Sequence, residues 1–304
     1  MNTPSSATAA VPFGIAWNWQ YDLDFIHLLD KACQKEGLTS YLVSHHNLAQ
    51  TLAEAERDER RFVWFLDRAS DEDKQFLKLN DLLHSKGTRF LNAHHHYLRA
   101  SDKAEIHREL LACGIQLPMT LILPSQDRQP DVDPTLIDSF AKPFVVKPAK
   151  GGGGRGVMTG AKHVDDVIRV RGKHRDQRFL VQQNIEPQQI GNRRGWFRVY
   201  YVCGQIIPCW WDDRTHRYAV FSDEDRKLVD VARLECISRG IARVAQMEFF
   251  SCEVALDVHH RYILIDYVNT PCDMRLQSKC ANGVPDILVQ QIVGLLATHI
   301  RQQF

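Results

Sequence analysis

Four consecutive glycines between two apolar segments are the feature of this sequence that most directly indicates chemistry. Residues 144–146 form a short apolar run that ends at Lys147, and apolar residues resume at Val157 after the glycines. A loop without Cβ atoms can turn its N–H groups onto a polyphosphate. A flexible linker is the alternative for a glycine run, but flanking strand patterns and cations favour a phosphate-binding loop. The candidate phosphate ligands are Lys147, Gly151, Gly152, Gly153, Gly154 and Arg155.

Two familiar nucleotide-binding patterns do not fit this loop. No Gly-Lys-Ser/Thr follows the glycines, as a Walker loop requires. The dinucleotide fingerprint opens a helix directly after the first strand of a βαβ unit, whereas a strand pattern follows here. A strand, a glycine loop and a second strand, with lysine on the incoming strand, resembles the ATP-grasp superfamily, in which a glycine-rich hairpin loop folds over ATP.

A second similar passage precedes the glycine loop. Asp102-Lys103 opens a predicted helix, and Gly-Ile-Gln-Leu-Pro-Met-Thr follows at 114–120. This order is similar to the family's Asp-Lys … Gly-Ile-x-x-Pro-x-Thr. The match implies that Lys103 and Lys147 both reach the nucleotide phosphates, where two cations offset part of the charge of ATP. Two solvent-facing lysines are the alternative.

The strand pattern Leu-Val-Gln-Gln at 180–183 is similar to the family's inter-domain strand, where backbone groups meet the adenine edge. The family usually has an acidic residue there, and this chain offers Gln182 or Gln183. An amide can still hydrogen-bond adenine or ribose, so the resemblance implies a nucleotide contact. Surface amides at a strand end are the alternative.

A predicted hairpin starting at Trp196 resembles the family's Asp-x-Arg-x-x-x-x-x-Gly hairpin, with Trp196 in place of the acid. The resemblance implies that Arg198 holds an acyl phosphate or the γ-phosphate, since a planar guanidinium binds two oxygens at once. Later in the chain, Arg275 is a candidate to lie over a substrate carboxylate. A surface arginine is an equal alternative there.

The acidic residues of a second predicted hairpin resemble the family's metal ligands. Glu253 lies on one strand and Asp266-Tyr-Val-Asn269 ends the other, where the family has a carboxylate and Glu-x-Asn holding two Mg²⁺ ions. The implied ligands of Mg²⁺ (or Mn²⁺) are Glu253, Asp266 and Asn269, with Asp257 as a substitute. On a regular strand, the Asp-x-x-Asn spacing would place the two side chains on opposite faces. It therefore predicts a bulge, or a turn starting at Val268, that brings them together. Surface acids closing a hairpin are the alternative.

Strand and helix patterns alternate through residues 12–91, which predicts a parallel α/β sheet. Ligands of such sheets gather at the carboxyl ends of the strands. Candidate substrate-side residues are therefore Asp67, Arg68, Ser70, Asp71 and Asn92. The run His94–His96 is expected in a cleft-side loop, and adjacent histidines rarely share one metal ion.

Length and resemblance together predict the architecture. A chain of 304 residues is long enough for two or three subdomains. The resemblance covers roughly residues 60–280 and implies the ATP-grasp fold, an α/β chain whose two later subdomains carry antiparallel sheets that clamp ATP. The expected parts are a parallel N-terminal α/β domain at 1–101, a central subdomain at 102–183 with the glycine loop, and a C-terminal subdomain at 184–304 with the metal site.

Composition limits the other classes of function. A formal net charge of +1 offers no basic field for nucleic acid, and no apolar run approaches the ~20 residues of a membrane span. The polar start of the chain lacks the features of a signal peptide. Eight cysteines form no Cys-x-x-Cys pair, which indicates reduced thiols. We therefore expect a cytoplasmic protein that binds neither nucleic acid nor membrane.

The proteins that the chain resembles most are of the glutathione synthetase, D-alanine–D-alanine ligase and ribosomal-protein glutamate ligase types. They imply an ATP-dependent carboxylate–amine ligase acting on small molecules or a peptide end, with a homodimer plausible by resemblance. Two alternatives remain open: a kinase of similar fold that phosphorylates a hydroxyl, and a non-catalytic ATP-binding protein. The kinase would need extra cations, which Arg68, Arg89, Arg99 and His94–His96 could supply. The loops at 184–195 and 212–226 are expected to help select the substrates.

Overall fold

The computed structural model describes residues 10–304, and its first layer is a four-stranded parallel sheet in the order β2-β1-β3-β4. This confirms the parallel sheet predicted from the alternating strand and helix patterns. The strands are β1 (Val11–Trp17), β2 (Ser40–Val43), β3 (Phe62–Arg68) and β4 (Arg89–Leu91). The helices are α1 (Leu23–Lys35), α2 (Leu48–Glu56), α3 (Leu77–Ser85) and α4 (His94–Ala100).

Helix α1 illustrates how periodicity determines these elements. Phe25, Ile26, Leu29 and Cys33 recur at helical spacing, and all four are fully buried on one face. The chain leaves the helix at Gly37, whose φ of +70° lies in the left-handed region that glycine tolerates best.

The second layer is the central sheet, four antiparallel strands in the order β5-β8-β6-β7. Its own apolar core lies between this sheet and helices α6 and α7 and includes no residue of the other two main sheets. The elements are α5 (Lys103–Ala112), β5 (Thr120–Leu123), α6 (Pro134–Asp138), β6 (Phe144–Pro148), β7 (Met158–Ala161), α7 (Val164–Arg171) and β8 (Phe179–Gln183).

The third layer is the C-terminal sheet, five antiparallel strands in the order β13-β12-β11-β14-β15. A two-stranded ribbon, β9 (Gln189–Ile190) with β10 (Arg193–Arg194), precedes it. The remaining elements are β11 (Trp196–Val202), β12 (Gln205–Asp212), β13 (Arg217–Val220), α8 (Asp225–Leu228), α9 (Val231–Ala245), β14 (Phe249–Leu256), β15 (Tyr262–Asn269) and α10 (Asp286–Arg301).

Regular structure occupies three segments for which loops are expected. His94–His96 begin helix α4 and are not in a cleft-side loop; this helix packs against α5 and α9, and the Arg99 side chain donates to the Val244 carbonyl at 2.6 Å. The 184–195 and 212–226 segments contain the β9–β10 ribbon and strand β13. Such short elements are stabilised by tertiary packing, which leaves only a weak signal in the sequence.

Two large apolar cores connect the layers differently. Helix α10 packs on α1, and one core joins both helices to the N-terminal sheet and to one face of the C-terminal sheet. The other core lies between the C-terminal sheet and helix α9, and it includes Ile106 and Leu110 of α5. Helix α5 therefore belongs by packing to the C-terminal layer, although it precedes the central sheet in the chain.

Arg68 is a buried structural residue, and its guanidinium is not available to bind a substrate. Its guanidinium makes a two-point contact with Asp22, at 2.8 and 2.7 Å, and also donates to the Cys272 carbonyl at 2.8 Å. The Arg68 and Asp22 side chains are only 2% and 3% exposed. This pair ties the end of β3 to the segment that follows β15.

Removing the arginine of this pair should destabilise the protein strongly. We expect Arg68→Met to lower the free energy of unfolding by roughly 3–5 kcal/mol, because Asp22 would remain buried without a counter-charge. Urea unfolding followed by circular dichroism measures this. The double variant Asp22→Asn/Arg68→Met should recover part of the loss, and equal losses in the single and double variants would contradict the assignment.

Within residues 10–304, none of the helices is both long and apolar enough to cross a bilayer.

Candidate active site

Lys147 connects the central sheet to the last strand of the C-terminal sheet. It lies near the end of β6, is 7% exposed, and donates from Nζ to the Ile265 carbonyl at 3.0 Å. Its ammonium group also lies 5.5 Å from the centre of the Tyr267 ring. The predicted phosphate ligand therefore faces the strand that carries the predicted metal ligands.

Lys103 brings a second ammonium group to the same place. Asp102 caps helix α5 by accepting from the N–H groups of Ala104 and Glu105, which fixes the first turn from which Lys103 projects. Lys103 Nζ donates to the Gly151 carbonyl at 3.0 Å and lies 3.5 Å from Asp266 Oδ1. One side chain thus contacts both the glycine loop and the acidic strand.

The pairing of β14 with β15 is irregular at the acidic residues. Glu253 pairs with Asp266 and Ser251 with Asn269, and the register shifts on both sides of Glu253. Each shift inserts an extra residue into β15, once between Asp266 and Asn269 and once just before Asp266. The bulge that the Asp-x-x-Asn spacing requires is therefore present.

The cations around Asp266 decide its protonation. Burial alone would raise the pKa of this carboxyl, but Lys103, Lys147 and Arg198 together hold it below its ordinary value. Burial lowers the pKa of Lys147 to about 8; the charge of Lys103 adds to that effect, while Asp266 and Glu253 oppose it. Asp266 is accordingly an anion at neutral pH and is surrounded by more positive than negative charge.

Glu253 is held by two donors from strand β11. Arg198 approaches Glu253 Oε1 at 2.7 Å, and the indole N–H of Trp196 donates to Oε2 at 3.1 Å. Trp196 thus orients the acid on the neighbouring strand, at the position where the family pattern has an acid of its own. The Arg198 guanidinium lies 4.7 Å from the Trp211 ring, and its buried Nε atom has no hydrogen-bond partner.

The acidic groups fit a Mg²⁺ site that is completed by phosphate oxygens. In the described part of the chain, no three His, Cys, Asp or Glu side chains lie close enough to hold a metal ion by themselves. One buried oxygen of Asp266 accepts no hydrogen bond, and Glu253 lies opposite on the paired strand. Mg²⁺ is usually bound by one or two carboxylates together with substrate phosphates, and this set supplies that number.

Asp257 is committed to the hairpin turn and does not complete this set. It accepts from the backbone N–H groups of His259 and Arg261, both at 2.9 Å, and from the Arg261 side chain at 2.6 Å. Its function as a substitute ligand has no geometric support.

The glycine loop is exposed between β6 and β7. Gly151 and Gly154 have φ values of +107° and +72°, which side-chain-bearing residues rarely adopt. No neighbouring atom lies within 4 Å of a Cβ placed on any of the residues Gly151 to Gly154, and Arg155 is exposed beside them. The loop has room to move toward a ligand above Lys147.

The two candidate glutamines project from opposite faces of the central sheet. Lys147 pairs with Leu180 and Val145 with Gln182, so Lys147 and Gln182 share a face, whereas Gln183 lies on the other. Gln182 is 3% exposed, and its amide donates to Thr120 Oγ1 at 2.8 Å and to the Tyr267 hydroxyl at 3.1 Å. Of the two predicted nucleotide contacts, Gln182 alone is on the side of the site, and its N–H donors are engaged within the protein.

The sequence did not single out His107 and Tyr267, which adjoin this cluster. His107 Nδ1 lies 2.6 Å from the Tyr267 hydroxyl, and burial lowers the pKa of His107 to about 4. The signal that could have found them is positional. His107 follows Lys103 by four residues on the same face of a predicted helix, and Tyr267 follows Asp266 directly.

Arg275 is paired with its own neighbour. Its guanidinium makes a two-point contact with Asp273, at 2.9 and 2.7 Å, and lies 5.8 Å from the Trp19 ring. Trp19 lies just beyond the carboxyl end of β1. The position of Arg275 over a substrate carboxylate stays a prediction.

Most candidates at the ends of the parallel strands have structural partners. Asn92 donates to the Phe249 carbonyl at 2.5 Å and accepts from the N–H groups of Glu248 and Phe249. Asp67 accepts from the N–H groups of Ala69 and Ser70 and from Asn80. A cavity of only about 20 Å³ remains among these residues; it is lined by Asp67, Asp71, Asn92, His94, Tyr97, Thr270 and Pro271.

Asp71, in this small cavity, should make stability depend on pH. Burial raises its pKa to about 6, Arg68 opposes the shift and Asp67 adds to it. The folded protein keeps a proton that the unfolded chain releases between about pH 4 and 6, so Asp71 lowers stability as the pH rises through that window. We expect Asp71→Asn to be more stable than the wild type at pH 8 by on the order of 2 kcal/mol, with the difference vanishing near pH 4. Chemical unfolding at both pH values measures this; the exposed neighbour Glu72→Gln is the control, and an equal gain at pH 4 would refute the explanation.

A shallow surface cavity elsewhere has no connection with these residues. Its volume is about 390 Å³, and it is lined by residues of α9 alone: Ala232, Glu235, Cys236, Arg239, Gly240 and Arg243.

Comparison with solved structures identifies the fold, whereas comparison with protein families and sequences finds no relative. No protein-family model and no curated protein sequence matches this chain. Among solved structures, a RimK domain ATP-grasp protein from Sphaerobacter thermophilus is similar, with a TM-score of 0.65 and 18% identity over 94% of this chain and 99% of that chain.

Two further structures are similar over comparable lengths. The ATP-grasp ligase PsnB, in complex with a minimal precursor, Mg and ADP, has a TM-score of 0.64 and 14% identity over 96% of this chain and 98% of that chain. The macrocyclase MdnC from Microcystis aeruginosa, bound to the precursor peptide MdnA, has a TM-score of 0.64 and 12% identity over 94% and 99%. This chain therefore has the ATP-grasp fold, which confirms the predicted fold class.

Proposed function

We propose that the protein is an ATP-dependent ligase that joins a carboxylate to an amine, with release of ADP and phosphate. One observation carries this proposal. Three cationic side chains, from helix α5, the central sheet and the C-terminal sheet, lie around the anionic Asp266 beside the exposed glycine loop. Binding ATP without turnover does not require such carboxylates, whereas transferring its γ-phosphate does.

The chemistry follows from the weakness of a carboxylate as an electrophile. Its charge is delocalised and its leaving group would be oxide, so the γ-phosphate of ATP must first be transferred to one carboxylate oxygen. The amine then attacks the acyl carbon, and phosphate leaves. Lys103 and Lys147 are placed to bind the phosphates during transfer, and Arg198 is placed to hold the oxygens of the transferred group.

Glu253, Asp266 and Asn269 would hold Mg²⁺, which when bound neutralises charge on the phosphates. In the described structure Glu253 is held by Arg198 at 2.7 Å. If Glu253 served as a metal ligand, the Arg198 guanidinium would be available to the transferred phosphate.

A covalent enzyme intermediate is not required, and the thiol that pairs with Arg198 is unsuited to form one. Cys209 pairs with Arg198 across two strands, is fully buried, and donates from Sγ to the Arg198 carbonyl at 3.3 Å. Burial raises the pKa of Cys209 to about 12, so the reactive thiolate is scarce at neutral pH.

The substrate classes that fit are a small molecule or peptide bearing a carboxylate and a partner bearing an amine. A peptide is favoured by the structural neighbour MdnC, which is bound to a precursor peptide, and ATP with Mg²⁺ is favoured by PsnB with Mg and ADP. The proposal also includes the division at residues 101 and 183, Gln182 as the nucleotide contact, Arg275 at the carboxylate and a homodimer.

The three arginines that a hydroxyl kinase could use do not gather in the N-terminal cleft, although His94 lines the small cavity there. Arg68 is buried against Asp22, Arg99 contacts Glu109 and the Val244 carbonyl, and Arg89 lies 5.6 Å from the Trp64 ring. Each therefore has a partner outside a common site, and the ligase is the better supported function.

The test is to incubate the protein with Mg-ATP and pools of amino acids and dipeptides while measuring ADP and free phosphate. Phosphate release that depends on both a carboxylate and an amine is the expected result. ADP formation without free phosphate would show a kinase instead. Binding of Mg-ATP with no turnover in any pool would leave only an ATP-binding protein.

A further inference from the structure

Helix α5 contacts two consecutive residues of β15 through two side chains one turn apart. Lys103 Nζ lies 3.5 Å from Asp266 Oδ1, and His107 Nδ1 lies 2.6 Å from the Tyr267 hydroxyl. Residues four apart lie on one face of a helix. The same helical face therefore fixes the predicted metal ligand and the residue after it.

Strand β15 lies at the edge of the C-terminal sheet. In the bulged region, successive residues of this strand make contacts outside the sheet. Each of the residues 264–267 has a contact to α5, to the linker after it, or to the central sheet. In order these are Leu264 N–H to the Gln116 carbonyl (2.9 Å), the Ile265 carbonyl to Lys147 Nζ (3.0 Å), Asp266 to Lys103 (3.5 Å) and the Tyr267 hydroxyl to His107 (2.6 Å) and Gln182 (3.1 Å).

The Tyr267 hydroxyl joins one helix and one other strand to its own strand. It contacts His107 of α5 and Gln182 of β8, while its own backbone belongs to β15. All three side chains are buried, with exposures of 0% for Tyr267, 4% for His107 and 3% for Gln182. A buried polar group that loses its partner keeps the full desolvation penalty, so this junction strongly resists displacement.

We propose that His107, Tyr267 and Gln182 form a positioning junction that sets the distance between Lys147 and Asp266. Two extra residues in β15 give this segment freedom that a regular strand lacks, and the junction removes that freedom beside the metal ligand. The Tyr267 ring also lies under the Lys147 ammonium group, so one side chain aligns the cation and the acid together. This assignment rests on the proposed function, because it concerns the same nucleotide and metal groups.

Removal of the Tyr267 hydroxyl tests the junction. Titration calorimetry would measure the affinity for the Mg²⁺ complex of AMPPNP, a non-hydrolysable ATP analogue. We expect Tyr267→Phe and His107→Leu each to weaken binding about tenfold, as expected for loss of one buried hydrogen bond. The double variant should also lose about tenfold, since both changes remove the same contact. His107→Asn keeps a polar atom near the Nδ1 position and should restore most of the affinity.

Tyr262→Phe is the matched control. Tyr262 is the first residue of the same strand, before the register shift that begins at Leu264, and its hydroxyl accepts from the Asp230 N–H at 2.8 Å. We expect Tyr262→Phe to lower the unfolding temperature as Tyr267→Phe does, with wild-type affinity for Mg-AMPPNP. In the ligand-free protein, the amide hydrogen of Leu264 should exchange with solvent faster in Tyr267→Phe than in Tyr262→Phe.

The outcomes separate the two proposals. A wild-type protein that fails to bind Mg-AMPPNP would overturn the proposed function, and the positioning assignment with it. A wild type that binds, together with a Tyr267→Phe variant that binds equally well but unfolds earlier, would overturn the positioning assignment alone and leave Tyr267 as a structural residue.

Discussion

Asp266→Asn should reduce ATP turnover by on the order of 10²–10³-fold, while metal-free ATP binds to the variant more tightly than to the wild type. The first effect is expected because Asp266 is one of only two carboxylates, with Glu253, among the proposed metal ligands. The second follows from charge, because Lys103, Lys147 and Arg198 would keep their positive charges without the anion that lies among them. The amide is nearly the same size as the carboxylate, so both effects report charge and not shape.

Two measurements check these opposite effects. ADP formation at saturating Mg²⁺ gives the turnover, and titration calorimetry in EDTA gives the affinity for free ATP. Asp257→Asn is the matched control, since Asp257 is a buried acid on the same hairpin that binds Arg261 and the turn. Asp257→Asn should lose stability and keep turnover. If Asp266→Asn weakened free ATP binding, the charge balance described for this site would be wrong.

Lys147→Met should lower turnover by about 10²-fold and raise the KM for ATP, because one of the two cations placed to bind the phosphates is removed. Its unfolding temperature should stay within a few degrees of the wild-type value. Burial already lowers the pKa of Lys147 to about 8, which shows that the charged form is disfavoured in the folded protein. Methionine avoids that penalty, and this offsets the lost hydrogen bond to the Ile265 carbonyl.

The control for this variant is Lys142→Met. Lys142 lies before the same strand, is 38% exposed, and pairs with Asp138 at 3.1 Å. Its removal should leave turnover and KM unchanged. Lys147→Met with wild-type kinetics would eliminate Lys147 as a phosphate ligand, whatever the stability of the variant.

Much of this site could be predicted because its signals are local. Lys147 follows an apolar run and precedes glycines, several of which have positive φ. The spacing of Asp266 and Asn269 predicts a bulge, and the register of β14 and β15 contains it. Helix α1 is similarly clear, since its buried residues recur at helical spacing.

The remaining features depend on contacts between residues that are distant in the chain. His107 meets Tyr267 across 160 positions, and Arg68 is committed to Asp22 across 46, so nothing near either residue in the sequence identifies its partner. The sequence alone does not distinguish Gln182 from Gln183. The strand register decides which of the two lies on the same face of the sheet as Lys147. Helix α4 is short and carries no capping signal, so it depends on packing against α5 and α9.

The separate core of the central sheet has a consequence for how ligands enter. This sheet contacts the rest of the molecule through a small apolar cluster of Ala104, Ala149 and Leu180, through the ion pair of Arg178 with Asp102, and through hydrogen bonds such as those of Lys147 and Gln182. These hydrogen bonds belong to buried groups, so separating the sheet from its neighbours carries a desolvation penalty. The apolar core of the central sheet does not include residues of the other two main sheets, so the free-energy cost of opening the site to a ligand lies in these few contacts and not in the interior of the sheet.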